Sequence, residues 1–250
     1  MLTSLPCERL LLGVTGSIHV VNLPQYLTQF RRTFARSIRV VMTGTAARML
    51  PPHLVRTYID EPVFTDLMGT DALPSPHMRL TRWAQLFVVL PATADILGKA
   101  AHGIADDLLS TAILASPRPV VFAPAMNPAM WDSPAVRRNV AQLAADGHHM
   151  LPMRPITSVT TGEFDTGLGP TPESVMPHLW HVLMRQLKND YWAEATATPP
   201  ATPAEIKQST NSQDAKALPL LPLLPPLTAD AFDAPSASAI PSDSPDTSGT

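Results

Sequence analysis

A single cysteine, Cys7, stands in 250 residues, which excludes an internal disulfide framework and a cysteine-rich metal site. Charge is scarce at 16% and close to balanced, with a formal net of −3. No basic field exists to hold a nucleic-acid backbone. No apolar run approaches the roughly 18 residues that cross a bilayer, and no charged segment followed by a long apolar one opens the chain. The expectation is a soluble, cytoplasmic protein with no membrane and no nucleic-acid partner. Common catalytic signatures are also missing. There is no GxxxxGK[ST] loop, no GxGxxG after a strand and no GxSxG elbow, and neither HEXXH nor close histidine–carboxylate spacing is present.

Proline, by contrast, is abundant at 28 residues, ten of them within 199–245. Charge divides at the same place: residues 1–195 carry 16 Lys+Arg against 15 Asp+Glu, and residues 196–250 carry 2 against 6. The second part contains ATPPATPAE, LPLLPPL and PSASAIPSDSPDTSGT, with Phe232 as its one aromatic. Such a composition buries too little surface to offset chain entropy. The sequence therefore predicts a folded domain over 8–195 and a disordered Pro-rich tail over 196–250. Within that tail, LPLLPPL has the composition of a polyproline-II segment.

Within 8–195, short apolar runs alternate with helical patterns. LLLGV (10–14), IRVVM (38–42), LFVVL (86–90) and PVVFA (119–123) read as buried strands. Helices are expected after the first, with Val20, Val21, Leu23, Leu27 and Phe30 on one side. Others are expected through Leu97, Ala100 and Ala101, over 106–115, and from a Ser133 cap with Pro134 at the first position. The fold class predicted is α/β, a flavodoxin-like, Rossmann-type parallel sheet with helices on both faces. Such sheets bind ligands beyond the carboxyl ends of their strands, at a topological switch point. Those ends carry Thr15-Gly16-Ser17, Thr43-Gly44-Thr45, the stretch 91–95 (PATAD) and the stretch 124–127 (PAMN). Hydroxyls, glycines and amides before helix starts suit a phosphate-bearing ligand.

The linked motifs are more specific than any one of them. His77 opens HMRLTRWAQ; Pro91 of PATAD follows fourteen residues later, then GIADDLL (103–109), then PAMNPAMW (124–131). In this order they resemble the flavin-dependent cysteine decarboxylases, over about residues 9–170. The family has two arms. One decarboxylates 4′-phosphopantothenoylcysteine on the route to coenzyme A. The other, of epidermin and mersacidin type, oxidatively decarboxylates the C-terminal cysteine of lanthipeptide precursors to an aminoenethiol, which leads to S-aminovinyl-cysteine.

The resemblance implies a flavin, FMN or FAD. It places His77 as the base and Pro91, Ala92, Thr93, Ala94 and Asp95 as the flavin loop, with aspartate where many members have asparagine. Asn127 matches the residue that contacts both flavin and substrate carboxylate, and Met130 lies beside it in the substrate turn. Ser17, Thr43 and Thr45 match cofactor contacts. The coenzyme A arm has a cysteine before a glycine that protonates the enethiolate; Thr161 of Ser158-Val159-Thr160-Thr161-Gly162 stands there instead. A hydroxyl is a far weaker acid than a thiol. SIHVVNLPQYL (17–27) also resembles the peptide arm, whose implied partner is a precursor peptide ending in cysteine. The coenzyme A enzyme, phosphopantothenoylcysteine decarboxylase, is the alternative. A homotrimer or a dodecamer of trimers is implied, and no metal.

Other residues read as structural. Met126, Met130, Met150 and Met153 are expected to pack, Trp83 and Trp131 to anchor a core or a subunit contact, and His148-His149 to lie at a surface or strand end. His102 is expected inside a helix, partly buried. Cys7, ahead of the first strand, has no matched role.

Overall fold

The apolar run that starts the domain alternates its allegiance residue by residue. Leu10, Leu12 and Val14 join one buried cluster, whereas Leu11 joins another. Successive side chains of a strand point to opposite faces, so the strand is covered on both sides. In the computed structural model, which describes residues 5–68, 75–156 and 167–197, that strand is β1 (Cys7–Val14). A 3-10 turn (Ile18–Asn22) and α1 (Leu23–Thr33) follow, then β2 (Ala35–Met42), α2 (Gly44–Met49), α3 (Pro52–Arg56) and β3 (Val63–Phe64). Next come α4 (Pro76–Trp83), β4 (Leu86–Ala92), α5 (Ala94–Ala101), α6 (Leu108–Leu114) and β5 (Val120–Pro124). The order continues with α7 (Pro128–Asp132), α8 (Pro134–Ala145) and β6 (His149–Met150). It ends with the antiparallel pair β7 (Arg154–Ile156) and β8 (Gly167–Gly169), then α9 (Pro172–Ala197).

The main sheet is parallel throughout, in the order β3-β2-β1-β4-β5-β6. Setting aside the two-residue edge β3, the strand order is that of a flavodoxin-like sheet, with the direction of winding reversing between β1 and β4. One face packs against α1, α3 and α9 through Leu27, Phe30, Val55, Leu179 and Leu183. The other packs against α4, α5, α6 and α8 through Leu80, Leu97, Leu109 and Leu143. The expected two-sided α/β sheet is present.

Several local expectations need correction. The helix after β1 begins as a 3-10 turn, because Pro24 takes an early position in α1 where its missing N–H costs nothing. Val21 consequently faces outward, 48% exposed. Helix α6 starts at Leu108 rather than 106, since Asp107 caps it and forms a reciprocal capping box with Ser110. Ser133 precedes α8 as expected, yet its side chain makes no capping bond. His102 lies at the end of α5, exposed, with Nδ1 2.9 Å from the Gly98 carbonyl oxygen. Met130 is 44% exposed and does not pack in the core, although Met126 does. Trp83 and Trp131 are half-buried, under the guanidinium groups of Arg39 and Arg137. His148 and His149 are half-buried at the β6 edge, as expected of strand-end residues.

Candidate functional site

β1, β2, β4 and β5 each lead into a helical segment, so helix starts gather at the carboxyl edge of the sheet. Hydrogen bonds join four strand ends into one rim. Thr43 N–H donates to the Val14 carbonyl (3.0 Å), tying β2 to β1. Ala125 N–H donates to the Ala92 carbonyl (3.0 Å), tying β5 to β4. Across the switch point, the Thr15 hydroxyl donates to the Pro91 carbonyl (2.6 Å) and accepts Thr93 N–H (3.1 Å). The buried Ser17 hydroxyl reaches the Ala125 carbonyl at 3.5 Å. The rim thus unites the expected stretches around Ser17, Thr43, 91–95 and Asn127.

The residue types at these positions have a local cause. Thr43 Oγ1 accepts Ala46 N–H (3.3 Å), Thr93 Oγ1 accepts Ile96 N–H (3.4 Å) and Asn127 Oδ1 accepts Met130 N–H (2.8 Å). Each caps the helix that follows its strand, satisfying a donor with no intrahelical partner. Asn127 is exposed, and the cap uses only its oxygen, leaving its amide N–H groups free for another acceptor. Met130 lies in the same short helix α7.

The direction of α4 points His77 toward this rim. The carboxyl end of α4 is fixed beside the start of β1: Gln85 N–H donates to the Arg9 carbonyl (2.9 Å), and Gln85 Oε1 accepts Glu8 N–H (2.7 Å). Eight helical residues rise about 12 Å, which carries Pro76 and His77 toward the opposite, carboxyl edge. The half-buried His77 has a buried Nδ1 with no hydrogen-bond partner. Before it, Ser75 holds a left-handed backbone (φ 53°) and offers no side-chain cap. For a non-glycine residue that geometry is strained, and such strain concentrates at functional sites.

Three residues at the rim were not singled out by the sequence. Thr15 is the hinge pin between β1 and β4. Arg48 folds back on α2 and donates to Thr45 Oγ1 (3.1 Å), adding a cation beside the exposed Thr45. Lys99 pairs with Asp95 (3.3 Å) and Asp106 (3.0 Å). The Asp106 bond is the main cause that raises the lysine above its ordinary range. Asp95 is therefore charge-compensated. Thr161 lies outside the described residues.

The rim suits a flavin on its own geometry. Gly16 is pressed against Thr45, and a Cβ there would come 2.7 Å from Thr45 Cβ, so only glycine admits this close approach. The unpartnered His77 nitrogen, the long bond of the buried Ser17 hydroxyl and the free Asn127 amide supply polar groups awaiting a ligand. Among the described residues no group of three His, Cys, Asp or Glu could hold a metal. An open cleft of about 590 Å³ lies elsewhere, along the outer side of α1 between Gln25, Gln29, Arg32 and Tyr58. It has no buried, unpartnered polar group, so volume alone does not make it the chemical site.

Residues 2–177 match the family described as Flavoprotein. The chain belongs to that family. It is 41% identical over 141 residues to mersacidin decarboxylase of a Bacillus species, a match covering 56% of this chain and 71% of that one. The coenzyme A biosynthesis bifunctional protein of Bacillus subtilis is 39% identical over 143 residues. That match covers 56% of this chain but only 35% of the longer relative. Among solved structures, the FMN-dependent cysteine decarboxylase SpaF superposes with a TM-score of 0.63 at 35% identity, covering 74% of this chain and 99% of its own. No helix among the described residues is long and apolar enough to cross a membrane.

Proposed function

We propose that this flavoprotein is an FMN-dependent peptidyl-cysteine decarboxylase, which oxidatively decarboxylates the C-terminal cysteine of a ribosomal precursor peptide to an aminoenethiol. The observation that carries this choice is the position of the sole thiol. Cys7 is the first residue of β1, fully buried, and its side chain is pushed up to about 12 by burial. Seven strand steps of about 3.3 Å separate it from Val14 at the rim. A thiol at the site is what the redox-neutral coenzyme A reaction uses to protonate the enethiolate, and this chain has none to offer there. With Thr161 at that position, the product stays an enethiol.

The chain's residues then take defined roles. Bound FMN would supply the two-electron acceptor for the cysteine Cβ hydrogen. His77 takes the thiol proton, since imidazole is the side chain suited to proton transfer near neutrality. The oxidised substrate, a thioaldehyde, is an electron sink β to the carboxylate, so carbon dioxide departs and leaves an enethiolate. Asn127 orients the carboxylate through its Nδ2 donor, without a cation that would hold the charge in place. Met130 is assigned to substrate binding, as is Thr161 by the resemblance alone. Ser17, Thr43, Thr45, Pro91, Ala92, Thr93, Ala94, Asp95 and Asn127 hold the cofactor. The active form is a cytoplasmic homo-oligomer built of trimers.

Purified protein should be yellow and should release FMN on denaturation. A colourless protein that cannot be reconstituted with FMN or FAD overturns the reading.

A further inference from the structure

Beside the rim, between the turn after β1 and the start of α9, opens a cleft of about 240 Å³. His19, Asn22, Gln25 and Tyr26 form one wall; Pro170 and Glu173 form the other. The Tyr26 hydroxyl donates to the Pro170 carbonyl (2.7 Å) and pins the walls together. The cleft is joined to the site: His19 N–H donates to Ser17 Oγ (3.4 Å), which in turn reaches the Ala125 carbonyl, two residues before Asn127. Its volume falls below the ~300–1,000 Å³ of complete small-molecule pockets. It fits one side chain rather than a cofactor.

The charge of the cleft is one-sided. Glu173 is exposed in the first turn of α9 and makes no ion pair with a described residue. Burial lowers the His19 imidazole below its ordinary range, so it stands uncharged at neutral pH. Asn22 and Gln25 are neutral. The cleft therefore presents one carboxylate amid hydrogen-bonding groups, with no cation of its own.

We propose that this cleft is a substrate subsite for a basic side chain lying one or two residues before the terminal cysteine, with Glu173 as its specificity-determining carboxylate. An extended peptide advances about 3.4 Å per residue, so a side chain one or two residues before the cysteine stays near the Asn127 turn. The cleft is linked to that turn through Ser17 and Ala125. The proposal rests on the peptidyl-cysteine reading.

The test is kcat/KM for pentapeptides ending in cysteine, with Lys, Gln or Glu at each of the two preceding positions, on the holoenzyme. The Lys peptide should exceed the Glu peptide by about five- to ten-fold at low salt, mainly through KM, with the difference shrinking at high salt. Glu173→Lys should invert the order. Equal KM values across the series, or an order that survives Glu173→Lys, overturns the subsite while leaving the reaction intact. A Glu173→Lys protein of altered oligomeric mass and unaltered preference also overturns it, by making the cleft a subunit contact. If no peptide is decarboxylated, the peptidyl-cysteine reading itself fails.

Discussion

Thr15 and Pro91 meet across the point where the sheet reverses its winding: the threonine hydroxyl donates to the proline carbonyl at 2.6 Å. The same oxygen accepts Thr93 N–H, so one 2% exposed side chain sets the spacing of two loops that the cofactor would touch. Thr15→Val keeps the shape and leaves the buried Pro91 carbonyl and the part-buried Thr93 N–H without this partner, at a cost of about 1–3 kcal/mol. For a domain of this size the melting temperature should fall by roughly 3–10 °C, with weaker flavin retention. Thr15→Ser should recover most of both. A melting temperature unchanged in Thr15→Val would show that the bond does not hold the rim.

His77→Asn should leave the fold and the flavin absorbance intact while lowering turnover by at least ~100-fold, because it removes the proton acceptor at nearly constant polarity. Steady-state rates on a peptide ending in cysteine, with the visible spectrum as the control for loading, decide the matter. Turnover within a few-fold of normal would return His77 to a helix-start residue.

Acid should loosen the sheet edge. His148 Nδ1 accepts Val120 N–H at 3.0 Å, at the start of β5, and the ring stands edge-on to Phe122. Protonation would put a donor where an acceptor is needed. Burial lowers both His148 and His149 below the ordinary 6.5, with Arg185, His148 and His181 adding to the effect on His149. His19 is lowered by burial in the same way. A lowered histidine means that the unfolded chain binds protons at higher pH than the folded one. This stability is complete above about pH 6.5 and is lost as pH falls from there toward the folded values. Melting temperature should therefore be flat above pH 7 and decline below about 6.5. His148→Gln, which keeps a side-chain acceptor and cannot titrate, should flatten the decline; an unchanged slope would exclude His148 as a contributor.

The four long strands were legible in the sequence because each is an apolar run buried on both faces, and their polar ends marked the rim. The edges β3 and β6 were not, since two residues such as His149-Met150 carry no period and owe their strand form to pairing with β5. Helix α7 was hidden for a similar reason: five residues after PAMN make one turn, and only the Asn127 cap shows that it is helical. The sequence named His77 by motif spacing, but its direction relative to the rim depends on how α4 is fixed beside β1 by Gln85, a tertiary feature. Thr15 lay inside a turn already noted, where no local signal separates a pin between two loops from an ordinary turn hydroxyl. Asp95 read only as a loop residue; its Lys99 partner, one helical turn later, offsets its charge.

Helix α9 runs to Ala197, and its Asp190 pairs with Arg118 at 2.6 Å, fastening it beside the start of β5. Chain beyond it has a composition with little to bury. Truncation after Ala197 should preserve solubility, flavin content and turnover within about two-fold. Loss of flavin from the truncated protein would assign the Pro-rich segment to the domain.

The last prediction separates the two arms of the family and rests on where thiols are absent. If Thr161 cannot protonate the enethiolate, the two hydrogens taken from the cysteine are not returned, and the product must be lighter by carbon dioxide and two hydrogens. A redox-neutral coenzyme A enzyme would remove carbon dioxide alone. Mass spectrometry of a peptide ending in cysteine, and separately of 4′-phosphopantothenoylcysteine, distinguishes these outcomes directly. Cys7→Ser should change neither product, because a buried residue at the far end of β1 cannot reach the reaction; its cost should appear only in stability. The expected result is the oxidised peptide enethiol, with little or no 4′-phosphopantetheine. Efficient 4′-phosphopantetheine formation with peptides ignored would mean that a group other than a thiol completes the reduction, and would assign the chain to the coenzyme A arm.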